Sequence, residues 1–155
     1  MRLLVVAAGT RLPDWVNAGF EEYAGRLTRD YRLELKEIAL GQRAAGATAQ
    51  AIAKEGEKML AALPQGGYVV AMQVGGRNLS SEQLAQFLQA RARDGRDVVF
   101  CIGGPEGLAP EVDARADFKW SLSGLTLPHA LARVVLAEAL YRAVTIIKGH
   151  PYHRA

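Results

Sequence analysis

Three short stretches, RLLVVAA (2–8), YVVAMQV (68–74) and DVVFCI (97–102), are almost continuously apolar rather than alternating. A strand can bury both of its faces only when helices cover the sheet on both sides, which is the situation of a parallel strand. Helical patterns separate these runs. Trp15, Val16, Phe20, Tyr23 and Leu27 recur at three- and four-residue spacing between Pro13 and Leu27, with Pro13 suited to a first turn. A second helix is predicted over 48–62 with Ile52, Met59 and Leu60 inward, and a third after a cap at Ser80 or Ser81, with Leu84, Phe87 and Leu88 inward. YRLELKEIAL (31–40) alternates apolar and charged residues, so it reads as a strand near the sheet edge. The third strand should stop at Gly75-Gly76, a short helix should span 110–116, and FKWSLS (118–123) should be a fifth strand. A weakly polar loop, GQRAAGAT, precedes the second helix. The expectation is an α/β fold, a mostly parallel sheet with helices on both faces, in a single domain over 1–155.

Composition narrows the function classes. The 155 residues are 50% hydrophobic and 23% charged, which suits a globular chain and not a disordered one. A net charge of +3 permits a nucleic-acid partner without requiring one. Cys101 is the only cysteine, so neither an internal disulfide nor a cysteine-based metal site can form. The chain has neither a membrane-spanning apolar stretch nor a signal-peptide pattern at its start, and a cytoplasmic protein with no membrane partner is expected.

Two strand exits invite a ligand. IGGPEG follows a buried strand, where open α/β sheets place ligands, and Gly103 and Gly104 let one approach the backbone. The spacing fits neither the dinucleotide fingerprint nor the phosphate loop, and a tight turn without a ligand is the alternative. SLSGLTLPH (121–129) joins a strand to a helix through small, hydroxyl and apolar residues. An adenine or sulfonium ligand needs such backbone groups and apolar walls more than charges. Met72 closes the third strand on the same sheet edge.

The final run, 128–147, is apolar almost all round. A helix of this kind is buried on every side, which points to a homodimer or to a central helix of one chain. Glu138 and Arg142 stand one turn apart and can pair, whereas Arg133 must face another group, such as a ligand carboxylate. The chain closes on HPYHR (150–154), which holds two of its three histidines. A metal site there would have only an H-x-x-H spacing and no third ligand, so no metal is expected; a disordered tail and an ordered tail giving donors to an anion or RNA are the other readings.

IGGPEGL (102–108), SLSGLTLPH (121–129), LAEALYRA (136–143), HPYHR (150–154), GT (9–10) with PDWV (13–16), and KEGEKML (54–60) resemble the RlmH family across the whole chain. These are small SPOUT-class methyltransferases that modify a pseudouridine of 23S ribosomal RNA at N3. The resemblance implies a C-terminal trefoil knot, a homodimer, and S-adenosylmethionine bound by Met72, Gly103, Gly104, Leu122, Ser123, Gly124, Leu125, Thr126 and Leu127. The small size and mild charge point to an assembled large subunit or ribosome that supplies much of the docking surface. N3 of a pseudouridine must lose its proton before it attacks, so a base or a nearby positive charge is needed. His153, Arg154 and Tyr152 are the candidates, held by Glu138 and Arg142. A non-enzymatic RNA- or ribosome-binding dimer, or a SPOUT enzyme acting on another RNA, are the alternatives.

Overall fold

The structure, a computed structural model, describes residues 1–28, 30–42 and 46–154. Residues 43–45 of the GQRAAGAT loop therefore lie outside the described residues. Strands and helices alternate: β1 (Arg2–Ala8), α1 (Asp14–Ala24), β2 (Arg32–Ile38), α2 (Thr48–Ala62), β3 (Tyr68–Asn78), α3 (Ser81–Arg93), β4 (Val98–Ile102), α4 (Pro110–Arg115), β5 (Phe118–Ser121) and α5 (His129–Lys148). A 3-10 turn, Pro151–His153, ends the chain.

The five strands form one sheet in the order β2-β1-β4-β3-β5, and every neighbouring pair is parallel. Successive residues of β1 serve opposite faces, as a pleated strand requires. Leu3, Val5 and Ala7 pack with Phe20, Leu84, Leu88, Leu136 and Leu140, on the side of α1, α3 and α5. Leu4, Val6 and Ala8 pack with Met59, Ala109 and Val112, on the side of α2 and α4. Burying each such leucine contributes about 1.5–3 kcal/mol, so the two cores hold the layers firmly.

Local chemistry starts and stops the elements. The Ser80 hydroxyl accepts from the Gln83 amide at 3.0 Å, and the Gln83 side chain accepts from the Ser80 amide at 2.8 Å, a reciprocal cap that fixes the start of α3. Gly149 ends α5 at φ 69, in the left-handed region where glycine carries no Cβ penalty.

Several boundaries differ from expectation. β3 does not stop at Gly75 but runs to Asn78, because a register shift lets both Met72 and Arg77 face Trp120 on β5. Gly76 makes this possible: a Cβ there would lie 2.8 Å from the Trp120 backbone. α1 ends at Ala24 and not near Leu27, and β5 ends at Ser121. Within the chain α5 buries eight residues, among them Leu136, Ala137 and Leu140, and leaves the rest of 129–147 partly buried. α5 packs against both α1 and α3, and no residue from His129 to Ile147 is fully exposed.

Candidate functional site

The exits of β3, β4 and β5 and the first turn of α5 surround a cleft of about 420 Å³. It sits at the carboxyl ends of the strands, the usual ligand position of an open α/β sheet.

Glycines shape the loop after β4. Gly104 and Gly107 form an isolated bridge, and the Gly107 amide donates to the Gly104 carbonyl at 3.0 Å. A Cβ on Gly103 would sit 2.3 Å from the Gly107 carbonyl carbon, so no other residue fits unless the loop opens. The sequence left a tight turn and a ligand loop as alternatives; the turn is tight, and it also lines the cleft.

Hydroxyls shape the loop after β5. Ser121 Oγ donates to the Ser123 carbonyl at 2.8 Å, and Ser123 Oγ accepts from the Leu125 amide at 2.9 Å. Ser121 gives its hydroxyl hydrogen to the loop and Ser123 keeps its own, beside the apolar side chains of Leu122, Leu125 and Leu127. Leu125 there, and Val74 on the extension of β3, are 74% and 68% exposed, so the mouth of the cleft is apolar too.

Of the nine residues assigned to a cofactor, Met72, Gly103, Gly104, Leu122, Ser123, Leu125, Thr126 and Leu127 line this cleft. Gly124 is exposed and does not. Gln73, Ile102, Trp120, Ser121, Pro128 and His129 line it as well, beyond the sequence assignment. All but Gln73 and Ile102 fall in or beside the SLSGLTLPH segment, so their place next to that motif was the available signal. Trp120 is 3% exposed, and its Nε1 has no hydrogen-bond partner among the described residues. That nitrogen is itself buried in the core beside Phe100 and does not open onto the cleft. Apolar walls and a glycine-rich backbone fit an adenosine-type sulfonium cofactor.

The tail gathers on the other half of α5. Arg142 Nη2 donates to Glu138 Oε2 at 2.9 Å and its Nε donates at 3.2 Å, while the Tyr152 hydroxyl donates to the same oxygen at 2.9 Å. The Tyr141 and Tyr152 rings meet edge-on at 4.6 Å. Burial, and then the hydrogen bond to the Glu138 carboxylate, push the Tyr152 phenol up to about 12. Tyr152 therefore stays protonated near neutral pH and serves as an anchor. His150 Nδ1 accepts from the Tyr152 amide at 3.2 Å, His153 Nδ1 lies 3.5 Å from Thr145 Oγ1, and Arg154 is exposed. The tail is thus docked, against the disordered alternative. Along α5, Ala132 at the cleft and Thr145 at the tail are separated by about 20 Å at 1.5 Å per residue.

Arg133 has a partner that the sequence did not reveal. Its side chain is 1% exposed, Nη1 donates to Glu37 Oε2 at 2.6 Å, and Nη2 donates to the Gly9 carbonyl at 2.8 Å. It clamps α5 to the ends of β1 and β2 and is not free to receive a ligand carboxylate. Among the described residues no group of three His, Cys, Asp or Glu side chains could hold a metal, and no helix is long and apolar enough to cross a membrane.

The fold has solved counterparts. A structure described as a "probable methylase family protein" from Haemophilus influenzae Rd KW20 superposes with TM-score 0.54 at 13% identity, over 99% of this chain and 70% of that one. A "putative methylase family protein" from Neisseria gonorrhoeae gives TM-score 0.56 at 13% identity, over 90% of this chain and 81% of that one. At such identities the likeness is one of fold. The family profile described as "Predicted SPOUT methyltransferase" matches residues 1–153, and the chain belongs to that family.

Proposed function

We propose that the protein is an S-adenosylmethionine-dependent methyltransferase of the RlmH type, which methylates N3 of a pseudouridine in 23S ribosomal RNA presented by the large subunit or the whole ribosome. The observation that carries the cofactor reading is the convergence of eight cofactor-assigned residues on one cleft. When bound, S-adenosylmethionine supplies the methyl group and leaves as S-adenosylhomocysteine. The reading includes the C-terminal trefoil knot that the family resemblance implies.

The chain's own residues must orient the base and remove the N3 proton. Thr145 spends its hydroxyl hydrogen on the Arg142 carbonyl at 2.6 Å, so its oxygen faces His153 as an acceptor. That arrangement favours the proton on His153 Nδ1 and leaves Nε2 as the basic nitrogen. His153 Nε2 is accordingly the proposed base, and the exposed Arg154 guanidinium offsets the charge that grows on the deprotonated ring. Because His153, beside Thr145, stands about 20 Å from Ala132 along one α5, the reading requires a homodimer in which one copy's tail meets its partner's cleft.

The test is methylation of free 23S RNA, large subunits and whole ribosomes with labelled cofactor, the product being mapped by mass spectrometry. Label at a pseudouridine N3 supports the reading. Label at another nucleotide points to a different RNA specificity, and saturable ribosome binding without methyl transfer would replace the enzyme with a binding protein.

A further inference from the structure

The cleft lining holds neither lysine nor arginine. An RNA strand that delivers a base there must carry its phosphates across the rim, so the cations that meet them have to stand outside the lining. The exit of β1 forms that rim on one side. Ala7 pairs with Ile102 of β4, and a Cβ on Gly9 would lie 3.9 Å from Nε2 of His129, a ring that lines the cleft.

Two residues just past this exit belong to neither core. Arg11 is exposed, and no hydrogen bond or ion pair engages its guanidinium among the described residues. Arg133 and Arg142, by contrast, are each held by a carboxylate. Arg11 also has a φ of 57, the one positive value among the described residues other than glycine. A long side chain adopts that left-handed backbone at a cost, and glycine adopts it freely. The position thus forgoes backbone ease and keeps a free cation, and strain of this kind collects at functional sites. Four residues on, Trp15 is 57% exposed, whereas the other tryptophan, Trp120, is 3% exposed.

We infer that Arg11 and Trp15 form a contact for the substrate RNA on the rim of the cleft. The Arg11 guanidinium takes a phosphate, and the Trp15 indole stacks on a base beside the target nucleotide. This rests on the reading of the cleft as the site of methyl transfer to ribosomal RNA, and it adds a surface that holds the strand. A guanidinium matches phosphate oxygens with two parallel donors, and an exposed indole gains most from an unpaired base. The pair therefore fits a single-stranded segment better than a duplex.

The experiment measures methylation of ribosomes with labelled cofactor at several salt concentrations, alongside S-adenosylhomocysteine affinity, urea midpoint and sedimentation. Arg11→Gly removes the cation and relieves the backbone. KM for ribosomes should rise about tenfold and its log–log salt slope should fall by about one, while cofactor affinity holds and the urea midpoint does not drop. Arg11→Lys should recover most of the KM. Trp15→Ala should raise KM by about the same factor with the salt slope unchanged, since stacking releases no counterion. An unchanged KM for Arg11→Gly or for Trp15→Ala would overturn the contact. So would a loss accompanied by monomers in sedimentation, which would make the segment a surface between copies of this chain. If the parent protein does not methylate ribosomes, the functional reading falls and this contact with it; an active parent with indifferent variants removes the contact alone.

Discussion

Tyr152 and Glu138, fourteen residues apart, are joined by a 2.9 Å hydrogen bond that ties the chain end to the middle of α5. Arg142 grips the same carboxylate and lies over the Tyr152 ring, its guanidinium carbon 5.1 Å from the centroid. The phenol thus sits between a carboxylate and a cation, which holds the tail against α5.

Removing that hydroxyl tests whether tail order matters for the reaction. Tyr152→Phe keeps the edge-on contact with Tyr141 and loses one charge-assisted hydrogen bond, a cost of about 1–2 kcal/mol borne by the tail. Amide exchange at 150–154 should accelerate and methylation should fall about tenfold, with cofactor affinity unchanged. Full turnover despite rapid exchange would show that a pre-docked tail is dispensable.

Arg133 is the side chain whose loss should be felt most in stability. Its removal leaves the Gly9 carbonyl and Glu37 without their donor inside the junction of β1, β2 and α5. Arg133→Met should lower the unfolding free energy by about 3 kcal/mol, read from urea denaturation. Arg133→Lys should restore less than half of it, because an ammonium cannot serve Glu37 and the carbonyls in the fork geometry of a guanidinium. A loss under about 0.5 kcal/mol for Arg133→Met would mean that the pair only replaces an equally good apolar contact.

These relationships mark where sequence reading succeeds. The runs of β1 and β4 were legible because strands buried on both faces have no alternation to hide, and the Ser80 cap because its donors are local. The extension of β3 was not, since two glycines carry no strand preference and what holds them is pairing with β5 more than forty residues away in sequence. Arg133 was recognised as needing a partner, but Glu37 lies 96 residues off and only the folded sheet brings it near. The cleft was largely legible through its two loops. His129 was left out of the site assignment because an imidazole at a helix start has no spacing signature.

Cys101 provides a pH signature of the core. Burial pushes its thiol up from 9.0 to about 12, and the positive charge of Arg115 opposes this only in part. Above about pH 9 the unfolded chain releases the thiol proton while the folded chain keeps it, so stability is full below that pH and declines as pH rises towards 12. Tyr152 adds to the decline above about pH 10, the ordinary value of a phenol. Urea midpoints between about pH 8 and pH 10 should therefore fall in the parent protein and stay nearly flat in Cys101→Ala. An equal slope in both would exclude the thiol as its source.

The separation between cleft and tail leads to the most demanding prediction. Gly103→Ala places a methyl group 2.3 Å from the Gly107 backbone, which should open the loop and abolish cofactor binding while leaving the tail untouched. His153→Ala should bind cofactor normally and fail to methylate. Each variant alone should be inactive. If one copy's cleft works with its partner's tail, an equimolar mixture of the two, unfolded and refolded together, should recover about a quarter of the parent activity: about half of the dimers are mixed, and each has one intact cleft facing one intact tail. Proteins mixed without exchange should recover nothing. A co-refolded mixture that stays inactive would place cleft and tail in the same copy, and His153 would then have to travel about 20 Å along α5 to act.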